Sequence, residues 1–138
     1  MLHTCRPAGY NIAMNTALIK GKPIADAIRA KVAERVALLS PPPCLAAVRV
    51  GDDAATSFYI SSQKRAAKAL NCEYKEAQLA SDCAPSALND ALQNLSNDDS
   101  VDGIILLTPL PKGFDIAAAR DFISPEKDVE GVTPTAMG

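Results

Sequence analysis

Apolar residues in this chain form short continuous runs, separated by stretches in which they recur every three or four positions. Residues 104–107 are all Ile or Leu, with Val101 just upstream, and such a run is typical of an inner strand of a parallel sheet. Pro109 and Pro111 follow, and proline has no amide hydrogen to donate to a strand ladder. The strand is therefore predicted to end before them, either as the edge of a ligand site or as a core strand with a stiff turn.

Two more strands are predicted, at residues 45–50 and, with weaker alternation, at residues 72–79. Strands and helices alternate along the chain, which predicts βαβ units with right-handed crossovers. The expected fold class is α/β, with three layers: a mostly parallel sheet and helices on both faces. Residues 45–50 and 104–107 are expected to be neighbouring or near-neighbouring inner strands.

Four helices are predicted from apolar spacing and end signals. The first begins near Pro23 and ends before residues 41–43, and its apolar row is Ile24, Ile28, Val32, Val36 and Leu39. The second spans residues 54–70 behind Asp53, whose carboxylate can accept amide hydrogens at a helix start. The third opens at Pro85 with Leu88, Leu92 and Leu95 in one row, and a short fourth spans residues 116–123 behind Asp115. Residues 126–138 are predicted to be extended and loop-like.

The length of 138 residues suits one domain. Residues 17–138 are expected to form it, and residues 1–16 a ragged lead in which Met14 is an alternative start. A net charge of -2 with scattered Lys and Arg argues against nucleic acid and anionic membranes as partners. No apolar run approaches the roughly 20 residues of a membrane span.

The four cysteines have no paired spacing, and the one histidine, His3, lies near the N-terminus. This pattern predicts no metal site and reduced thiols, and hence a cytoplasmic protein. The sequence contains no glycine-rich phosphate loop, so no nucleotide-binding half is expected in this chain.

Three blocks carry a family resemblance: residues 50–60 (VGDDAATSFYI), 101–111 (VDGIILLTPLP) and 123–134 (ISPEKDVEGVTP). In order and spacing they resemble the amino-terminal catalytic domain of methylenetetrahydrofolate dehydrogenase/methenyltetrahydrofolate cyclohydrolase. Residues 19–25 (IKGKPIA) are similar to that family's opening. The resemblance extends over about residues 17–138.

The resemblance implies a role in one-carbon folate metabolism. Members of the family oxidise methylenetetrahydrofolate to methenyltetrahydrofolate and hydrolyse it to formyltetrahydrofolate at one site. Their second, Rossmann-type domain holds NADP or NAD, and the folate lies between the domains. This chain ends near the family's linker into that domain, so it is expected to hold no cofactor itself.

The family's catalytic tyrosine is retained as Tyr59, whose ring could stack on a folate. Four residues later the family has a lysine, where this chain has Gln63, which has no acid or base function at neutral pH. Lys64 lies one position after the family's lysine position, which places its side chain about 100° further around the helix. The family's glutamine at the strand end is replaced by Leu107. Thr108 follows, and strand alternation would point it to the opposite face.

The family's pterin-binding aspartate corresponds to Glu130, which keeps a carboxylate on a longer side chain. Asp128 matches the preceding aspartate of the same motif, and both, with Tyr59 and Pro109, are the expected substrate-binding residues. Tyr59, Gln63 and Leu107 mark the catalytic positions. Tyr59, Gln63, Leu107, Pro109 and Glu130 are expected to line one concavity at the carboxyl edge of the sheet.

These replacements favour a truncated or diverged copy of the folate enzyme, inactive alone and retaining at most folate binding. The alternative is a non-catalytic binding or regulatory module that pairs with a full-length homologue, and an unrelated α/β domain is a third possibility. Self-association is expected as one way to cover apolar surface.

Overall fold

The computed structural model describes residues 19–138. The expected lead at residues 1–16, with Met14, His3 and Cys5, lies outside the described residues. The sheet has three strands, β1 (Cys44–Val50), β2 (Glu73–Leu79) and β3 (Gly103–Leu106), in the order β2-β1-β3. Both pairings are parallel, which confirms the predicted α/β fold with a parallel sheet.

The two predicted core strands, β1 and β3, are neighbours, with Leu45 opposite Gly103 and Val48 opposite Leu106. The expectation that both are inner strands is wrong for β3, which lies at the edge of the described sheet. Its run of Ile and Leu is buried nevertheless, because helices cover both faces and Asp128 bridges to Ile104 along the outer edge. Burial on both faces therefore does not require a strand on both sides.

The helices are α1 (Gly21–Val36), α2 (Ala54–Ala69), α3 (Pro85–Asn97), α4 (Ile116–Arg120) and α5 (Pro134–Met137). A 3₁₀ turn spans Pro125–Lys127. Asp53 and Asp115 cap α2 and α4 as predicted, since each carboxylate accepts two backbone amide hydrogens at the helix start. The Asp53 cap sets where α2, which forms one wall of the cavity described below, begins.

The core lies on the two faces of the sheet. On one face α3 and α4 pack on alternate side chains of β1 and β3, through Leu88, Leu92 and Ala119. On the other face Ile60 of α2 packs against Ala47, Ile105 and Leu107. These two clusters make the three layers expected from the sequence.

The apolar row predicted for α1 is mostly accessible: Val36 is buried, whereas Ile24 and Ile28 are 53% and 57% exposed. Two predicted details are wrong. The fourth helix ends at Arg120, since the amides of residues 121–123 then bond three residues back rather than four. The tail is not extended: Pro125 opens the 3₁₀ turn, and Thr133 caps α5 through its hydroxyl group.

Candidate ligand-binding cleft

A cavity of about 400 Å³ opens at the carboxyl end of β3. Tyr59 of α2 forms one wall, Glu130 and Val132 form the opposite wall, and Leu107 lies at the strand end. Leu106, Thr108 and Arg120 complete the lining. Tyr59 is 49% exposed, so its ring is available to a ligand. The predicted positions Tyr59, Leu107 and Glu130 are thus brought together at the expected edge.

Gln63 lies in a second cavity of about 310 Å³, one turn further along α2. That cavity is lined mainly by apolar residues, including Leu45, Ala66, Leu70, Gly103 and Val129. Residues of α2 and of the 129–132 segment line both cavities. The space between these two segments is therefore one valley that contains both cavities. The single concavity expected from the sequence is therefore divided, with Gln63 in its apolar half.

Pro109 lies apart from both cavities. After Leu107 the chain turns toward the loop that follows β1, so Pro109 faces Gly51, Asp52 and Ser81 in a separate pocket. The expectation that Pro109 shares a concavity with Tyr59 is wrong for this reason. Thr108 was expected on the opposite face from Leu107, but the strand has already ended at Leu106, and both residues line the cavity.

The amide oxygen of Gln63 accepts a hydrogen bond of 2.7 Å from the Tyr74 hydroxyl group. Burial, and then the nearby Glu76 carboxylate, raise the pKa of Tyr74 to about 12. Tyr74 is therefore a neutral donor at physiological pH, and it holds the Gln63 side chain in one orientation.

Lys64 does not substitute for a cationic group at position 63. Its ammonium pairs with Glu76 and lies 5.9 Å from the centre of the Tyr74 ring. Glu76 also lies 2.9 Å from Nε of Arg49, and Arg49 donates to Ser57 and Gln78. This polar network holds α2 on β2, on the side of the helix away from the cleft.

Asp128 binds its own loop. Its carboxylate oxygens accept the amide hydrogens of Glu130 (3.2 Å) and Thr133 (2.8 Å). Burial alone would raise the pKa of this carboxyl, but the hydrogen bonds from Thr133, Val132 and Glu130 outweigh it and lower the pKa. Both oxygens are thus engaged in fixing the turn that presents Glu130.

The same loop is attached to the body of the domain at two points. Lys127 donates to the backbone carbonyls of Asp98 (2.8 Å) and Leu95 (3.4 Å) at the end of α3. Val129 packs on Gly103, so closely that a Cβ added at Gly103 would lie 2.6 Å from Val129 Cγ1. The wall that carries Glu130 is therefore held by α3 and β3 together.

Sequence reasoning missed Arg120, Val132, Tyr74 and Lys127. Lys127 lies beside Asp128 in the third block, and its neighbourhood could have drawn attention to it. The roles of Arg120 and Tyr74 depend on which elements become neighbours, which no local pattern indicates. Within residues 19–138 no group of three His, Cys, Asp or Glu is placed to hold a metal ion, and no helix there could span a membrane.

The fold is an α/β domain with a cavity at the carboxyl edge of a parallel sheet. The model of the family "Tetrahydrofolate dehydrogenase/cyclohydrolase, catalytic domain" matches residues 19–130. The chain therefore belongs to the tetrahydrofolate dehydrogenase/cyclohydrolase family, as the resemblance implied.

Similarity to known proteins agrees with this family assignment. The bifunctional protein FolD of Chlamydia abortus is 36% identical over 121 residues, covering 88% of this chain and 42% of the relative. The crystal structure of FolD from Campylobacter jejuni gives a TM-score of 0.83 at 28% identity, covering 86% of this chain and 43% of that one. The Trypanosoma brucei FolD structure, complexed with NADP and inhibitor, gives 0.79 at 27% identity, covering 86% and 42%. The chain thus spans less than half the length of these proteins.

Proposed function

We propose that this chain binds a tetrahydrofolate-type ligand in the cavity between α2 and the 128–133 loop. The observation that carries the proposal is that Tyr59 and Glu130 face one cavity at the carboxyl edge of β3. This is the edge at which open α/β sheets bind ligands. Membership of the family supports a role in one-carbon folate metabolism.

Three residues of the cavity have a role in the proposed complex. The half-exposed ring of Tyr59 offers a face for stacking on an aromatic part of the ligand. The Glu130 carboxylate accepts hydrogen bonds from an amino-substituted heterocycle. Leu107, only 6% exposed, supplies apolar contact at the strand end. Asp128 positions Glu130 and does not itself contact the ligand.

We propose that the chain alone does not carry out the cyclohydrolase reaction. The position where the resemblance implies a lysine holds Gln63, whose amide is bonded to the neutral Tyr74 hydroxyl group. The position where it implies a glutamine holds the buried side chain of Leu107. Neither side chain can take up or release a proton near neutral pH, so general acid–base catalysis has no carrier at these two positions.

The relative from Trypanosoma brucei is described with an NADP cofactor, and in the longer enzymes NADP or NAD would accept the hydride. The residues of this chain do not fit such a cofactor, because its sequence has no glycine-rich loop for the phosphates. No step through a nicotinamide is therefore assigned to this chain.

Calorimetric titration with a tetrahydrofolate analogue tests the proposal. Replacing Tyr59 by Ala removes the stacking face, and we expect affinity to fall about 3- to 10-fold. Phe58→Ala is the matched control, because Phe58 is an exposed aromatic residue on the same turn of α2. Glu130→Gln should also weaken binding, whereas Glu126→Gln in the 3₁₀ turn should not. Equal effects of Tyr59→Ala and Phe58→Ala, or no binding by the wild type, would contradict the proposal.

A second candidate function is a non-catalytic module that pairs with a full-length homologue. The exposed apolar row of α1, with Ile24 and Ile28 more than half accessible, favours it. Co-purification of this chain with a tagged full-length family member would support pairing. Loss of that co-purification in an Ile24→Gln, Ile28→Gln variant would locate the contact on α1.

A further inference from the structure

Arg120 is a residue of the cleft to which neither the resemblance nor the proposal above gives a role. It is the last residue of α4, and it lines the cavity that Tyr59, Thr108 and Glu130 also line. Its side chain is half-buried. A guanidinium group carries five hydrogen-bond donors and no acceptor, so it needs acceptors nearby.

The other half-buried cationic side chains of the described chain all have such acceptors. Arg49 contacts Glu76 and Asp52, and Lys75 contacts Asp98. Lys127 donates to two backbone carbonyls. In contrast, no salt bridge or side-chain hydrogen bond within residues 19–138 includes the guanidinium of Arg120. A half-buried guanidinium that lines a cavity and has no partner among residues 19–138 can donate to a ligand.

The charge of the cavity restricts the kind of ligand. Glu130 lines the same cavity without forming an ion pair with Arg120, so a simple anion would meet a carboxylate as well as the guanidinium. A neutral ligand that presents an acceptor and a donor along one edge would satisfy both side chains. A heterocycle with an oxo and an amino substituent on either side of one ring nitrogen has this pattern.

We propose that Arg120 is a specificity-determining residue, which donates to a ring carbonyl oxygen of the ligand while Glu130 accepts from the neighbouring amino group. The inference rests on the proposed function, because a tetrahydrofolate-type ring is a 2-amino-4-oxo heterocycle. Arg120 has donors only, so it rejects a ligand that carries an amino group in place of the 4-oxo group. Such a mismatch leaves two donors facing each other and costs the site a hydrogen bond.

The test compares folic acid with its 4-amino analogue, aminopterin, at neutral pH, where both rings are uncharged. The full chain should bind the 4-oxo compound about 10-fold or more tightly, the range expected for a hydrogen bond to a charged group. Arg120→Met, which keeps the length but removes the donors, should reduce the preference to less than about 3-fold. Arg120→Lys, which restores a donor, should recover part of it. Arg65→Met is the matched control, since Arg65 is exposed on α2 and should leave the preference unchanged.

The outcomes separate this inference from the proposed function. If Arg120→Met keeps the full preference while Tyr59→Ala still weakens binding, the role of Arg120 is overturned and folate binding stands. If the wild type binds neither compound, both are overturned. Circular dichroism checks the fold of each variant, and Arg120→Ala replaces Arg120→Met if the latter does not fold.

Discussion

At the scale of single residues, the Tyr74 hydroxyl group links sheet and helix by donating to Gln63 over 2.7 Å. Burial, then Glu76, raise the pKa of Tyr74 to about 12, above the value of about 10 that an unfolded chain gives. The folded state therefore holds this proton more tightly than the unfolded state does. The resulting stability is fully present below about pH 10 and is lost as the pH rises through about 12.

We therefore expect the free energy of unfolding of the wild type to fall between about pH 10 and pH 12 more steeply than that of Tyr74→Phe. Phenylalanine keeps the ring but has no proton to lose, so its curve lacks this contribution. Urea unfolding at a series of pH values measures both curves. Parallel curves would show that Tyr74 ionises no differently in the folded and unfolded chains.

Residues whose roles are local could be predicted from the sequence. Asp53 and Asp115 cap helices as predicted, because a cap and the amides it accepts lie within three residues of each other. Asp128 is one of the expected substrate-binding residues, and in the structure its oxygens accept the amide hydrogens of Glu130 and Thr133. The family motif contains two carboxylates, those of Asp128 and Glu130, but the sequence does not reveal which of them faces the cavity.

At the scale of elements, periodicity located every strand of the sheet and the start of α2, α3 and α4. It could not show that β3 lies at the edge of the sheet. That edge is covered by Asp128, which is distant from β3 in sequence. Nor could it indicate that Pro109 turns away from the cleft, since the direction of a chain after a strand depends on the loops it meets. The division of the cleft into a polar and an apolar half follows from the same tertiary contacts.

The contact between β3 and the 128–133 loop leads to a prediction about Gly103. A Cβ at this position would lie 2.6 Å from Val129 Cγ1 and 3.2 Å from Leu45 Cδ1. We expect Gly103→Ala to lower the free energy of unfolding by about 1–3 kcal/mol, the usual cost of overpacking. Val129 belongs to the loop that forms the cavity wall with Glu130. The same change should therefore also weaken ligand binding. Chemical denaturation and calorimetry measure the two effects.

The double variant Gly103→Ala, Val129→Ala identifies the cause. Removing Cγ1 of Val129 takes away the closest clash, so the double variant should be more stable than Gly103→Ala alone. Gly21→Ala is the matched control, because an added Cβ there meets no atom within 4 Å. If the two substitutions at 103 and 129 were simply additive, the packing of Val129 on Gly103 would not be the origin of the effect.

At the scale of the whole molecule, the two sides of α2 have different functions. On the β2 side, Glu76 joins Arg49 and Lys64 in the polar network that fixes the helix. On the β3 side, α2 and the 129–132 segment leave the valley that contains both cavities. The helix is thus held by charges on one side so that Tyr59 can remain exposed on the other.

The other large feature of the described molecule is the apolar surface of α1 and the turn after it. Ile24 is 53% exposed and Ile28 57%, and Leu38 and Leu39 beyond the helix are 86% and 54% exposed. Soluble monomers rarely present contiguous apolar patches beyond a few hundred Å². Apolar burial is worth roughly 25 cal/mol per Å², so covering this row would be favourable.

We therefore expect the chain to associate with itself as its concentration rises, and to unfold at a higher temperature when it does, because association stabilises the folded state by mass action. Light scattering across a dilution series, alongside thermal unfolding, measures both. The Ile24→Gln, Ile28→Gln variant should remain monomeric at concentrations where the wild type associates. Ala30→Gln, an exposed substitution on another side of α1, should behave like the wild type. A monodisperse monomer at every concentration, with a high melting temperature, would show that this surface is tolerated in water and needs no partner.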